Sequence, residues 1–425
     1  DNGAFLAWAP LDTAGERFAF QAVAPSGDTL WRELPLRLPQ SAPGPACPAP
    51  PHPRNCRLPA RITFTLDHTV LRTGPEQAYA LFPPSGTVAW ADTFIPPYYR
   101  VRLEPGHSLW VEEKFVALDT LHCDPPRGAV SRVRVTGGDP WVTVAVGLDQ
   151  PLLFSLEEGD DPGELVLDLF GAQSRLGRVD YASGDPLVRE IRWEQIRDGV
   201  LRLEIFLNAP LWGYGAVWEK GSLALKIRRP PEIQARALQD RIIVLDPGHG
   251  GAQPGAVGPT RLAEKEPNLK LALALKDYLE RKGARVFLTR TGDTALDLYA
   301  RVDSAVAWNA EILLSLHNNA LSDGVNPFMN HGSAVYYFQP QSLELARTLH
   351  RYLLAATDLP DHGFYYQNLA LARPTEMLAA LIECAFMMYP EEEMLLRDDE
   401  FLRRTAAGLA QGLEAFLAAG RTDPH

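Results

Sequence analysis

Four residues in the second half of the chain have the types needed to hold a metal and move protons: His249, Glu264, His317 and Glu383. His249 follows the apolar run IIVLD in IIVLDPGHGG, so the spacing places it at the C-terminal edge of a strand, where open α/β sheets put ligands. The glycines around it lack a G-K-[ST] and a G-x-G-x-x-G, which argues against a phosphate loop. Glu264 lies in RLAEKEPNL at the entry to a helix, and His317 ends the run ILLSLH. Glu383 is the single charge in the otherwise apolar stretch from Met377 to Ala385. A buried carboxylate without a partner is costly, so it calls for a cation or a metal site beside it. A lone histidine is more often packed or solvated than ligating. Two histidines and two glutamates at element ends within one domain, however, fit catalytic zinc, which takes three protein ligands, His₂Glu among them, and leaves one position for water. One glutamate then remains as general base. The competing reading is four unconnected residues, since the candidates are far apart in sequence.

The elements that must position these residues alternate between strand and helix. RIIVLD, RVFLTR and ILLSLH read as strands, with helices near 266–282 and 297–309. Pro267 sits in the opening turn of the first helix, Leu271, Leu275 and Leu279 share one face, and Gly283 stops it. A later helix from Ser342 to Ala356 repeats the stripe with Leu345, Leu349 and Leu353, and the last helix carries Leu409, Leu413 and Phe416. From Phe5 to Arg228 the pattern is instead short alternating runs, such as ITFTL, YYRVRL, WVTVAVG and VLRLEIF, separated by Gly, Pro and Asp. The expected fold class is an α/β catalytic domain, a mixed sheet flanked by helices, preceded by mostly-β N-terminal modules. Proline-rich breaks near 38–57 and 121–128 give the expected division: a β-rich segment 1–57, β modules 58–125 and 126–232, and a catalytic domain 238–425.

Composition narrows the function. The 425 residues carry 46% hydrophobic and 22% charged residues, the values of a globular protein with several cores. No apolar run approaches a membrane span. The formal net charge of −12 opposes a nucleic-acid partner, whose affinity comes mostly from Lys and Arg on phosphates. Starting at Asp1 without Met or an export segment, the chain reads as a processed or trimmed form. Cys47 and Cys56 bracket CPAPPHPRNC, a spacing that suits either a small disulfide loop or two free thiols.

The ordered run DPGHGGAQPGAVG, EKEPNL, TRTGD, the helix with Arg301, SLHNNA, HGSAVYYF and LIECAFMMYPEEE resembles the zinc-dependent N-acetylmuramoyl-L-alanine amidases over roughly 240–417. The resemblance implies that His249, Glu264 and His317 hold Zn²⁺ and that Glu383 is the catalytic carboxylate. It also implies a peptidoglycan substrate cut at the amide between the lactyl group of N-acetylmuramic acid and L-alanine. Asn319, closing the S-x-H-x-N motif, His331 and Arg373 are the expected substrate contacts. His350 is expected to be solvated, and His362 to lie on a loop flanking the groove. RTGPEQAYALFPPSG with YYRVRLEPGHSLWVEEKFVAL resembles bacterial SH3-like wall modules, and 130–229 resembles the β-sandwich targeting domain of cell-wall amidases. Such modules would tether the enzyme to the wall.

The chain departs from the family after Glu383, where E-T-G-F-L-S-N is usual and Cys384, Ala385, Phe386, Met387, Met388 and Tyr389 follow, and at Leu378, where proline is common. These changes touch substrate contacts and local rigidity and leave the four chemical residues intact. Only Leu321 to Asn330 separates two motifs between which some relatives insert an inhibitory helix, so autoinhibition of that kind is not expected. The resemblance further implies a periplasmic or extracellular wall-associated monomer with an envelope activator as a partner. The rivals are a zinc carboxypeptidase or endopeptidase acting within the stem peptide, and a catalytically inactive wall-binding regulator.

Overall fold

The computed structural model describes residues 17–23, 29–35 and 58–420, apart from 120–121, 162, 183, 220, 234–235 and 322–324. The chain contacts form two units, 1–56 and 57–425. In the first, Arg17–Val23 and Thr29–Pro35 pair as an antiparallel hairpin. Cys47 and Cys56, and with them the disulfide question, lie outside the described residues; Cys123 is free and exposed, Cys384 free and buried.

The second unit contains three sheet systems in chain order. Seven antiparallel strands between Ala60 and Asp119 enclose Ile62, Phe64, Val101 and Val111. Two further sheets between Gly128 and Arg228 pack face to face around Val144, Leu167, Leu203 and Leu225. The alternation in Trp141–Leu148 becomes a strict alternation of half-buried and buried positions, as a strand with one core face requires.

The third system carries the chemistry. Its elements are β1 (Ile242–Pro247), α1 (Lys265–Arg281), β2 (Arg285–Leu288), α2 (Leu298–Ala307), β3 (Ile312–Asn319), β4 (Ser333–Tyr337), α3 (Leu343–Thr357), β5 (Asp361–Tyr366), β6 (Leu378–Phe386), α4 (Pro390–Arg397) and α5 (Asp399–Ala419). The sheet order is β2-β1-β3-β6-β4-β5. Pairing is parallel throughout except between β4 and β6, which makes the sheet mixed. The leucine stripes of α1, α3 and α5 close one face in a single core with Ile243, Leu314 and Ile382. On the other face Val244, Leu313 and Ala379 pack with Ala305 of α2. Because β1, β3 and β6 run parallel, their C-terminal ends share one edge, and His249, His317 and Glu383 arrive there together.

Helix punctuation follows the local chemistry. The Asp297 side chain caps α2 by accepting from the Tyr299 and Ala300 amides. Gly283, at φ +92°, turns the chain after α1 where a Cβ would strike Gln239. Two elements differ from the sequence reading. His362 lies in strand β5 rather than in a loop; β5 is an edge strand of half-buried and exposed residues, so it has no apolar face to announce it. α4 is a separate helix whose buried face carries Glu392 and Glu393 together with Leu396, which hides it from a search for apolar stripes. Between β3 and β4 the described residues include a single 3₁₀ turn, Pro327–Met329. No described helix is long and apolar enough to cross a membrane.

Candidate metal centre

His249 leaves β1 in a turn that only a strained backbone can make. It sits at φ +61° itself, followed by Gly250 at +133° and Gly251 at +57°. The neighbouring glycines make room rather than bind phosphate. A Cβ at Gly248 would lie 2.2 Å from the His317 ring, and one at Gly255 would lie 2.4 Å from Glu264 Oε2.

Glu264 ends between the two histidines. Its Oε2 lies 3.0 Å from His249 Nε2, and its Oε1 lies 2.9 Å from His317 Nδ1. One donor atom from each of the three falls within 4.8 Å of the others. Two donors on a tetrahedral zinc ion lie about 3.3 Å apart, given bonds near 2.0 to 2.1 Å. The spacing and the His₂Glu donor set therefore fit zinc. The carboxylate is held from behind: Oε2 accepts from the Ala256 amide at 2.9 Å, and Oε1 accepts from the Asn318 amide and Asn268 Nδ2, both at 3.1 Å. Burial alone would raise the Glu264 pKa; hydrogen bonds and charge from His249 and His317 reverse that and hold it well below the usual carboxylate range.

Glu383 stands directly across from His317 in the β3–β6 register. Its side chain is half-buried, yet Oε2 is buried without a hydrogen-bond partner. Burial, and then the negative charge of Glu264, push its carboxyl well above the normal range. A carboxyl oxygen left unpartnered beside three candidate metal ligands is suited to receiving and handing on a proton.

Several supporting residues, Arg301 apart, were not singled out from sequence. Asp246 is fully buried in β1 and accepts from Arg301 Nη1 at 2.8 Å, Thr289 Oγ1 at 2.6 Å and Ser315 Oγ at 2.8 Å. Arg301 also donates to the carbonyls of Pro247 and His249, at 2.9 and 2.8 Å, and so clamps the strained turn. Arg290 donates to the carbonyls of Pro247, Gly248 and Lys265 and ties that turn to the start of α1. Asn268 bridges Glu264 to Asn318. The available signal was a charged residue ending an apolar strand, Asp246, matched by an arginine on the buried side of α2. Glu393, also buried, accepts from the Thr260 amide and hydroxyl and from the Leu262 amide, fixing the loop that leads to Glu264.

The three expected substrate contacts are placed differently from one another. Asn319 closes β3 two residues beyond His317, and its Oδ1 accepts from the Ala320 amide at 2.8 Å. His331 Nδ1 lies 2.5 Å from Glu392 Oε1, and its ring stacks on Tyr389 at 4.2 Å. Glu392 also accepts from the Phe386 amide, so His331 is joined to the segment just past Glu383. Arg373 is not brought to the triad by any described contact: its guanidinium lies over the rings of Phe82 and Tyr79, at 4.5 and 5.2 Å, and its Nε donates to Asn368. His350 pairs with Asp361, and its side chain is mostly enclosed rather than solvated. His362 packs edge-on against Phe386 with Nδ1 buried and unpartnered, and burial lowers its pKa.

The family profile described as N-acetylmuramoyl-L-alanine amidase matches residues 243–415. A probable cell wall amidase, LytH, of Staphylococcus saprophyticus is 32% identical over 208 residues, 48% of this chain and 67% of the relative. Its counterpart in Staphylococcus epidermidis is 31% identical over 209 residues, 49% of this chain and 68% of the relative. Among solved structures, the catalytic domain of CwlV, an N-acetylmuramoyl-L-alanine amidase from Bacillus (Paenibacillus) polymyxa var. colistinus, is 35% identical, covering 42% of this chain and 98% of that one with a TM-score of 0.40.

Proposed function

Because the chain belongs to the N-acetylmuramoyl-L-alanine amidase family, we propose that it hydrolyses the amide between the lactyl group of N-acetylmuramic acid and L-alanine of the stem peptide, with zinc held by His249, Glu264 and His317 and with Glu383 handling the proton. The observation that carries this reading is the convergence of three ligand atoms within 4.8 Å opposite a carboxyl oxygen that has no partner. Bound there, zinc supplies a Lewis acid that polarises a carbonyl and makes water more acidic.

The chain's own residues do the rest. Glu383 takes a proton from the attacking water as the new C–O bond forms, and returns it to the alanine nitrogen as the C–N bond breaks. With Oε2 engaged by no other group, the carboxyl can take the proton up and hand it back. The amides of Ala256 and Asn318, with the Asn268 side chain, orient Glu264 so that its free lone pairs face the histidines. Asn319 lies beside this edge in place to orient substrate.

We assign the protein to the cell envelope, on the periplasmic or outer side, where peptidoglycan lies. Tethering by the N-terminal modules is part of the proposal, but these modules also pack on the catalytic domain. The Tyr214 amide donates to Thr375 O at 2.7 Å, and Glu158 Oε1 accepts from the Gln341 amide at 2.9 Å. Trp141 and Arg228 both hydrogen-bond to Asn309, while His68 stacks on Tyr299. Thr375 leads straight into β6, so the β modules support the strand that bears Glu383.

Digestion of purified peptidoglycan, followed by mass identification of the new ends, tests the reading. Free L-alanine amino termini and lactyl carboxylates are expected. New ends inside the stem peptide would replace it with a peptidase, and no new ends with an inactive wall-binding protein.

A further inference from the structure

On the sheet face that carries Glu383, β4 and β5 present two tyrosines at paired positions, Tyr336 and Tyr365. Tyr336 pairs with Leu381, two residues before Glu383 on β6. The Tyr336 and Tyr365 rings stack with centroids 5.0 Å apart and planes 29° from parallel. Helix α3 packs through Leu345 and Leu349 with Val335, on the opposite face of β4.

Tyr365 is held in a particular pose. Its ring folds back over Gly363, where an added Cβ would lie 2.4 Å from the ring and its hydroxyl oxygen. The hydroxyl donates to His362 O at 2.6 Å. Gly363 sits at φ +148°, a conformation that side chains rarely adopt. The strand therefore gives up a side chain to lay the ring down, while 37% of Tyr365 remains exposed. An aromatic ring fixed in place and left open to solvent has already lost the freedom that a ligand would otherwise have to remove.

We propose that Tyr365, backed by Tyr336, is a stacking platform for a pyranose ring of the glycan strand, on the sugar side of the scissile amide. This deepens the amidase reading and rests on it. A pyranose offers a flat face of C–H groups that packs on an aromatic ring, and a neutral sugar suits a surface built from two neutral phenols. A stem peptide offers no such flat ring of C–H groups. The platform thus selects substrates that keep their sugar and places the lactyl carbonyl toward Glu383.

The test compares two substrates of the zinc-loaded full chain: a GlcNAc–MurNAc tetrapeptide, and an N-lactyl tetrapeptide that keeps the scissile amide but has no sugar. The wild type should prefer the first. In Tyr365→Ala the ratio of kcat/KM for the two substrates should fall about 5- to 10-fold, through KM of the disaccharide substrate, the worth of one aromatic stacking contact. Gly363→Ala, which displaces the same ring, should give the same loss. An unchanged ratio, or equal losses on both substrates, overturns the platform while leaving the amidase reading intact. If the wild type cuts neither substrate, the amidase reading fails first and the platform with it. Should both variants fail to fold, free GlcNAc–MurNAc added to the wild type decides: shifts in the Tyr365 ring resonances support the proposal, and their absence overturns it.

Discussion

Glutamine at position 264 and glutamine at position 383 should have opposite consequences, and the hydrogen bonds say why. Both oxygens of Glu264 already accept main-chain amides, Oε2 from Ala256 at 2.9 Å and Oε1 from Asn318 at 3.1 Å. Whichever way a glutamine amide turns there, its NH₂ group faces another donor. A buried donor left without an acceptor costs about 1 to 3 kcal/mol. The lost charge also weakens the bonds to His249 and His317, each about 1.5 to 3 kcal/mol when charge-assisted. These terms overlap, so Glu264→Gln should lower the stability of the metal-free protein by about 3 kcal/mol and zinc affinity by at least about 100-fold. The sign with pH follows from a pKa held below the usual range: the stability gap is full above the unfolded value of about 4.3 and closes as pH falls through the depressed one. At Glu383 the Oε2 atom has no partner to lose, and the carboxyl is already pushed toward its neutral form. Glu383→Gln should then keep stability and zinc while kcat falls by about 10² to 10⁴. Urea unfolding, zinc titration and turnover of a muramoyl peptide measure all three quantities on both variants. Loss of zinc by Glu383→Gln would make Glu383 a ligand, and a fully stable, zinc-binding Glu264→Gln would refute the role of the hydrogen bonds around Glu264.

Other expectations are as direct. Protein purified without chelator should hold close to one zinc per chain by elemental analysis, and chelation should abolish turnover with little change in circular dichroism, since the domain has its own apolar core. Arg301→Met leaves buried Asp246 without its cation and should cost about 3 to 5 kcal/mol in urea unfolding, with Asp246→Asn in the same chain recovering much of it. Burial pushes Glu158 up to about 7, so its cost appears as pH rises from about 4.5 through 7; Glu158→Gln should match the wild type at pH 4 and exceed it by about 2 kcal/mol at pH 8. Truncation to 238–425 should lower both the melting temperature and the cleavage of soluble muramoyl peptides, because Tyr214 and Glu158 are lost from the loops they brace; full activity on soluble fragments would confine the β modules to tethering.

By itself the sequence determined the elements and the chemical candidates. IIVLD, ILLSLH and MLAALIE read as buried strands because apolar runs of that length have few other uses, and each ends on a residue able to do chemistry. The leucine stripes of α1, α3 and α5 were legible for the same reason: helical period is a local property. What only the tertiary structure decided was long-range. Nothing local to Glu264 says that its two oxygens will meet histidines from two different strands, or that Asn268 and Asn318 will hold it there. Arg373 had the charge of a substrate contact, but its position against Tyr79 and Phe82 depends on a module some 290 residues earlier in the chain. β5 and α4 were not foreseen because one has no buried face and the other buries carboxylates, and both are held by partners distant in sequence: β5 by the backbone of β4, and α4 by the Thr260 loop and His331. A sequence states which groups must be satisfied, while the packed chain alone determines which partner satisfies them.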